Sequence, residues 1–65
     1  MNINITQREE EVASYLIKGA TNYEIAHILG ISSFTLKKYI TNLLGKFNAK
    51  NRTELAYKLG KNNII

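Results

Sequence analysis

Residues 21–47 of this 65-residue chain read TNYEIAHILGISSFTLKKYITNLLGKF and carry its clearest structural pattern. Thr21 and Glu24 have the spacing of a capping box, in which the hydroxyl accepts the Glu24 amide and the carboxylate accepts the Thr21 amide. A short helix follows, and Gly30 is expected to end it. Ser32 can cap the next helix after a turn of about three residues. Two helices joined in this way are typical of a helix-turn-helix motif.

The longer helix of this motif, predicted over residues 33–47, has two distinct faces. Winding it at about 100° per residue places its large apolar side chains in one core-facing stripe. That stripe consists of Leu36, Ile40, Leu43, Leu44 and Phe47, with Tyr39 on its flank. The opposite face carries Phe34, Lys38, Thr41, Asn42 and Gly45, with Lys37 at its edge. Such cations, hydroxyls, amides and apolar groups can read base edges in the major groove of DNA, which is wide enough for a helix.

Capping signals also predict a helix on each side of the motif. Thr6 and Glu9 form a second capping box before it, and Gly19 is expected to end the helix that this box opens. Asn51 and Glu54 form an N-cap pair after it. Three glutamates in the first turn of the first helix are expected to be solvated and favoured by the helix dipole: Glu9, Glu10 and Glu11.

The predicted fold class is therefore all-α, with four helices in a single domain that covers residues 1–65. Apolar residues recur at spacings of three and four, there is little alternation of period two, and the chain has no proline. The predicted helices cover residues 7–18, 22–29, 33–47 and 52–60. In the second helix, the side expected to face the core is formed by Ile25, Ile28 and Leu29.

Length and composition exclude several classes of protein. A chain this short is too small for a two-lobed enzyme, and it holds neither a phosphate-binding glycine loop nor a nucleophile motif. It has no cysteine, and His27 is its only histidine, so no disulfide or zinc cluster can form. We therefore expect a non-enzyme without catalytic residues, metal, cofactor or small-molecule ligand. No stretch is long and apolar enough for a membrane span, and the absence of cysteine and of a signal peptide together favours the cytoplasm.

Charge is unevenly distributed along the chain. Residues 1–32 hold two basic and four acidic residues, whereas residues 33–65 hold seven basic residues and one acidic residue. A basic half of this kind indicates a polyanionic partner, with nucleic acid the first candidate and an anionic membrane surface the second. Three of the lysines are expected to be ordinary surface residues: Lys18, Lys58 and Lys61.

Five segments of the chain occur in a characteristic order: ITQREEEV (5–12), GATNYEIA (19–26), LGIS (29–32), TLKKYITN (35–42) and NRTE (51–54). With these gaps, they resemble the DNA-binding domain of the LuxR/GerE family, and the last segment favours this family over the related sigma-factor region 4. The resemblance covers residues 5–59. It implies a four-helix domain that inserts its third helix into the major groove, often dimerises through its fourth helix, and regulates transcription in bacteria.

The same resemblance implies roles for individual residues. The base-reading positions of the family fall on Lys37, Lys38 and Thr41. Positions that commonly contact phosphate fall on Asn22, Thr35 and Arg52. Asn42 joins the DNA-binding candidates because it shares the outer face of the third helix.

The fourth helix and the C-terminus supply candidates for a homodimer interface. Tyr57 projects away from the apolar side of the fourth helix, and the chain ends in Ile64 and Ile65. These apolar groups have no evident partner within the chain, which favours a contact with a second molecule. Fraying of a solvated terminus is the other explanation for the last two residues.

Four residues depart from the pattern of the family. Gln7 stands where proline is usual, Phe34 where a polar residue is usual, Tyr39 where histidine is frequent, and Gly45 where a cation is frequent. Two positions for Phe34 remain open: its ring could touch a thymine methyl group, or it could pack against the second helix.

We interpret the chain as a sequence-specific regulator that binds double-stranded DNA as a dimer, with half-sites about one helical turn apart. One alternative is a non-enzymatic protein-interaction module that contacts a regulator or polymerase through Phe34, Tyr57 and the terminal isoleucines. A second is a basic amphipathic peptide on anionic lipid. The chain is too short to include a receiver or ligand-binding domain. It could be a piece of a longer protein, although a Met1 so close to the first cap favours a free-standing protein.

Overall fold

The computed structural model describes residues 4–61, which contain four α-helices and no strand. The helices are α1 (Gln7–Ile17), α2 (Asn22–Leu29), α3 (Ser33–Lys46) and α4 (Arg52–Lys61). The predicted all-α fold is confirmed. The observed bounds of α2 match the prediction, and the ends of α1, α3 and α4 each differ from it by one residue.

The N-caps predicted from the sequence form at all four helices. Each cap side chain accepts the amide three residues later, at 3.1, 3.2, 3.0 and 2.9 Å for Thr6, Thr21, Ser32 and Asn51. In α1 and α2 the glutamate of the capping box accepts the threonine amide in return, at 2.9 and 2.8 Å. Glu54 differs, because its carboxylate accepts the amide of Lys50 at 2.5 Å. The carboxylate of Glu54 thus bonds to the residue before the N-cap, Lys50, and not to the amide of the N-cap residue Asn51.

The turn between α2 and α3 depends on Gly30, which ends α2 in the left-handed region at φ 67° and ψ 36°. Glycine adopts this conformation without the steric cost that a side chain brings. The next amide, of Ile31, donates to the carbonyl of Ala26 at 3.0 Å and closes the turn. Three residues thus separate the last residue of α2 from the first residue of α3, as the helix-turn-helix spacing predicts.

A single core holds the helices together, and α3 contributes to it from the centre of the domain. The fully buried aliphatic side chains include Val12 from α1, Ile25 from α2, Leu36 and Leu43 from α3, and Leu55 and Leu59 from α4. Helix α3 packs against α1, α2 and α4, and α1 also packs against α4. Burying each such side chain stabilises the fold by about 1.5–3 kcal/mol. This packing leaves one side of α3 uncovered.

The second helix faces the core differently from the prediction. Ile25 is buried and Leu29 is partly buried, but Ile28 is 54% exposed. Ala26 is buried instead. The prediction that Ile28 faces the core is therefore wrong, because its side chain lines an open depression beside Tyr15 of α1.

Glu9 links the start of α1 to the end of α3, and the prediction that it is solvated is wrong. Glu9 is only 3% exposed, and its carboxylate accepts a hydrogen bond from the ammonium of Lys46 at 2.6 Å. Burial acts to raise the pKa of Glu9, but the hydrogen bonds and charge of Lys46, together with the bonds from Thr6, outweigh it and lower the pKa. The Glu9 carboxylate is therefore held ionised while buried.

A second lysine contacts the end of α3 from α4. Lys58 donates to the carbonyls of Phe47 and Asn48, at 3.2 and 2.9 Å. These carbonyls lie beyond the last turn of α3, where no intrahelical donor reaches them and a cation is favoured by the helix dipole. Lys58 is thus not the ordinary surface lysine that the sequence suggested.

Candidate nucleic-acid interface

The outer face of α3 is a set of side chains that the core leaves uncovered. Lys37, Lys38, Thr41 and Asn42 are all exposed, and with Phe34 they line one shallow concave surface. They share a side of the helix because they recur at intervals of three and four residues. The predicted exposure of this face is confirmed. We call these five residues the outer face of α3.

Phe34 lies in the first turn of α3, and its ring is 67% exposed. The ammonium of Lys38, one turn later, lies 4.9 Å from the centre of that ring. This distance is within the range of a cation–π interaction. Packing of Phe34 against α2, one of the two positions that the sequence left open, is therefore wrong.

Thr35 is partly buried at the start of α3, where it forms part of the N-cap. Its hydroxyl accepts a hydrogen bond from the hydroxyl of Ser32 at 3.0 Å, and its amide donates back to the Ser32 oxygen. Because a hydroxyl both donates and accepts, the Thr35 hydroxyl keeps a proton that it can donate to an anion. The side chain is fixed next to the outer face of α3.

Asn22 and Arg52, two candidates for phosphate contacts, lie against each other. The guanidinium of Arg52, in the first turn of α4, donates to the side-chain oxygen of Asn22 and to the carbonyl of Ala20. Arg52 thus ties the start of α4 to the start of α2. Because the side-chain oxygen of Asn22 accepts a hydrogen bond from Arg52, its NH₂ group remains as a donor for another partner. The sequence identified both residues, but it did not indicate that they form a pair.

The dimer candidates are only partly within the described residues. Tyr57 of α4 is 65% exposed, and the ammonium of Lys61 lies 6.0 Å from the centre of its ring. Its predicted projection away from the core is confirmed. Ile64 and Ile65 lie outside the described residues, and their role stays a prediction.

An exposed aromatic patch on α2 was not predicted from the sequence. The rings of Tyr23 and His27 stack with centres 6.3 Å apart and an angle of 9° between their planes. Tyr23 is 80% exposed, and beside it Ile28 and Tyr15 line a depression between α1 and α2. A helical spacing of four places the two rings together, so the pair could have been found from the sequence alone.

The chemistry of these surfaces is that of binding. Within residues 4–61, no group of three or more acidic or histidine side chains is arranged to hold a metal ion. None of the helices in that range is both long and apolar enough to cross a membrane. The outer face of α3 offers two ammonium groups, a hydroxyl, an amide and a ring. It contains no carboxylate, so it suits an anionic partner.

Comparison with known proteins gives the same family by sequence and by structure. The family model described as bacterial regulatory proteins of the luxR family matches residues 4–59. The probable transcriptional regulator ycf29 of Porphyra purpurea is 43% identical over 61 residues, which cover 94% of this chain and 29% of that protein.

Two solved structures superpose closely on the domain. One is the phage VqmA–DPO complex, with a TM-score of 0.94 and 34% identity over 98% of this chain and 29% of that one. The other is the Vibrio cholerae VqmA dimer, with a TM-score of 0.93 and 30% identity over 97% of this chain and 28% of that one. The latter structure was described in connection with the DNA-binding mechanisms of LuxR-type receptors. The chain thus spans less than a third of the length of these three proteins.

Proposed function

The chain belongs to the luxR family of bacterial regulatory proteins and forms a LuxR-type DNA-binding domain, and from this premise we propose that it reads a specific double-stranded DNA sequence with α3. Its named relatives are transcriptional regulators, and it is not an enzyme. The observation that carries the proposal is the outer face of α3, which is uncovered, free of carboxylates and lined by donors. We propose that this face enters the major groove.

Each side chain of this face has a chemical counterpart on DNA. Lys37 and Lys38 can donate to the O6 and N7 atoms of guanine, and the hydroxyl of Thr41 can bond to either donors or acceptors. The amide of Asn42 matches the paired donor and acceptor of adenine. These residues would supply specificity, because only base edges distinguish one sequence from another.

Residues at the helix starts would fix the domain on the sugar-phosphate backbone. We propose phosphate contacts for the Thr35 hydroxyl, the amide NH₂ of Asn22 and the guanidinium of Arg52. Arg52 already holds Asn22 in place, which presents the NH₂ group as a donor. Seven of the nine basic residues lie in residues 33–65, the half of the chain that contains α3 and α4. This excess of positive charge would attract DNA from a distance.

We propose further that the domain acts as a homodimer through α4, in the cytoplasm, where bacterial DNA lies. The exposed ring of Tyr57 supports this contact, and the similar Vibrio cholerae VqmA is described as a dimer. Two copies of α3 would then bind half-sites about 34 Å apart, one turn of the duplex. Selection of binding sites from random duplexes should return a palindrome with that spacing.

Fluorescence anisotropy with a selected duplex tests the proposal. Because each neutralised phosphate releases counterions, log affinity should fall with log salt at a slope of about −0.9 per phosphate. Lys38→Ala and Thr41→Ala should each lower affinity for the selected duplex about tenfold, in line with 1–3 kcal/mol per base contact. Lys18→Ala, an equal change of charge at the end of α1, is the matched control. Failure to bind any duplex, or binding that is independent of salt, would reject the proposal.

A protein-interaction module is the second candidate, and the exposed rings of Tyr23 and Tyr57 favour it. Exposed aromatic side chains are common anchors in protein interfaces. Under this alternative, the double variant Lys38→Ala/Thr41→Ala would keep its affinity for bacterial RNA polymerase, whereas Tyr57→Ser would lose it. Sequence-specific DNA binding that depends on Lys38 would rule it out as the main function.

A further inference from the structure

We propose that Phe34 and Lys38 act as one unit that recognises the C5-methyl group of a pyrimidine, thymine or 5-methylcytosine, next to a purine in the major groove. The inference rests on the proposed function of α3 and adds to it a specificity for one chemical group on the bases.

The first support is the position of the ring. Phe34 has no packing partner in the core and is 67% exposed, so the fold does not explain a phenylalanine here. It lies on the same concave surface as Lys37, Lys38 and Thr41. A contact that specifies bases must come from this surface, and Phe34 is the apolar side chain on it.

The second support is the contact between the ring and Lys38. The ammonium lies 4.9 Å from the ring centre, which restricts where the long side chain can reach. An apolar surface and a strong donor are therefore held side by side. The major-groove edges of adjacent bases offer a matching pair: an apolar group for the ring and acceptors for the ammonium. The C5-methyl group is the apolar group there, and the purine N7 and guanine O6 atoms are the acceptors.

The charges around Phe34 favour nucleic acid over an apolar protein segment as the partner of this surface. The ring has two lysines beside it and no carboxylate on the same surface. Burying these ammonium groups under an apolar partner would leave them unpaired at a high cost. A DNA groove avoids this cost, because phosphates and base acceptors surround the methyl group.

The experiment compares duplexes that differ by single methyl groups. Thymines of a selected site are replaced one at a time by deoxyuridine, and cytosines by 5-methylcytosine, and affinity is measured by anisotropy. Loss of one buried methyl group should weaken binding of the natural chain about fourfold at one position. Phe34→Ala should bind the methylated duplex at least that much more weakly and should no longer distinguish it from the unmethylated duplex.

Two further variants serve as controls. Phe34→Leu keeps an apolar side chain and should keep most of the methyl discrimination. Lys37→Ala should lower the affinity for the methylated and the unmethylated duplex alike, because both keep the same guanines, while leaving the fourfold methyl effect intact. Because Phe34 is exposed, its replacement leaves the core unchanged, and equal melting temperatures verify this.

Each outcome decides the inference. A Phe34-dependent effect at a thymine assigns the contact to thymine, and one at a cytosine assigns it to 5-methylcytosine; either result supports the proposal. A methyl effect that persists in Phe34→Ala, or no methyl effect in the natural chain, would overturn the inference while leaving DNA binding intact. If the natural chain binds no duplex, the proposed function fails and this inference fails with it.

Discussion

Replacement of Lys46 by methionine should lower the free energy of unfolding by about 2 kcal/mol at pH 7. Methionine keeps an unbranched apolar stem but removes the ammonium that donates to Glu9 at 2.6 Å. A hydrogen bond to a charged group contributes about 1.5–3 kcal/mol. The side chain of Lys46 is 35% exposed, so solvent screens part of this interaction and places the value below the upper limit. A domain of this size is stable by only several kcal/mol, so such a loss is easily measured.

The effect should depend on pH in a defined direction. In the folded chain the pKa of Glu9 lies below its ordinary value of 4.5, despite burial that acts to raise it, because of Lys46 and Thr6. The resulting stabilisation is complete above that value and is lost as pH falls through the lowered pKa. Without Lys46, burial is opposed by Thr6 alone, and the pKa of Glu9 rises. The stability difference between the two proteins should therefore shrink as pH falls from the raised pKa of Glu9 in the variant towards its lowered pKa in the natural chain.

Urea unfolding followed by circular dichroism at pH 7 and at pH 3.5 measures both effects. Lys50→Met is the matched control, because Lys50 is exposed and its hydrogen bond to Glu54 comes from the backbone amide, which the substitution keeps. We expect the control to change stability by less than about 0.5 kcal/mol. Equal stability of the two variants at pH 7, or a difference that grows on acidification, would refute the role assigned to the Glu9 pair.

Three further predictions concern local geometry, all measured by thermal denaturation. Gly30→Ala should lower the free energy of unfolding by about 1–2 kcal/mol because the φ of Gly30 is +67°. Gly45→Ala, in open space within α3, should raise it by about 1 kcal/mol, because alanine has the higher helix propensity. Changes of the same sign would contradict the backbone argument. Ser32→Ala should cost about 1 kcal/mol through loss of the N-cap, and Ser33→Ala, inside the helix, should be nearly neutral; the reverse order would contradict the capping geometry. Arg52→Lys should cost about 1 kcal/mol, since an ammonium cannot bridge both acceptors of the guanidinium, and an unchanged melting temperature would show that the bridge contributes nothing.

Features that depend on near neighbours in the chain were predictable from the sequence. N-cap bonds join residues three apart, and Gly30 ends α2 through its own backbone preference, so the helix bounds came within one residue. The outer face of α3 followed from the same local logic. The helical period of its apolar residues determines which side of α3 packs into the core, and the opposite side is exposed in the structure.

Features that depend on distant parts of the chain were not predictable. Glu9 and Lys46 are 37 residues apart, and the spacing of the glutamate within α1 indicates only a first-turn carboxylate. The exposure of Ile28 depends on which helices pack against α2. The eight residues of α2 do not indicate these packing partners. The pairing of Arg52 with Asn22 likewise requires α4 to return to the start of α2.

We propose the outer face of α3 as the surface that binds DNA. An NMR titration of the ¹⁵N-labelled chain with a selected duplex tests it most directly, because the amide signals report contacts residue by residue. We expect the largest shifts on four amides of the outer face of α3: those of Lys37, Lys38, Thr41 and Asn42. Shifts centred on the aromatic patch of α2, with the signals of α3 unmoved, would contradict it.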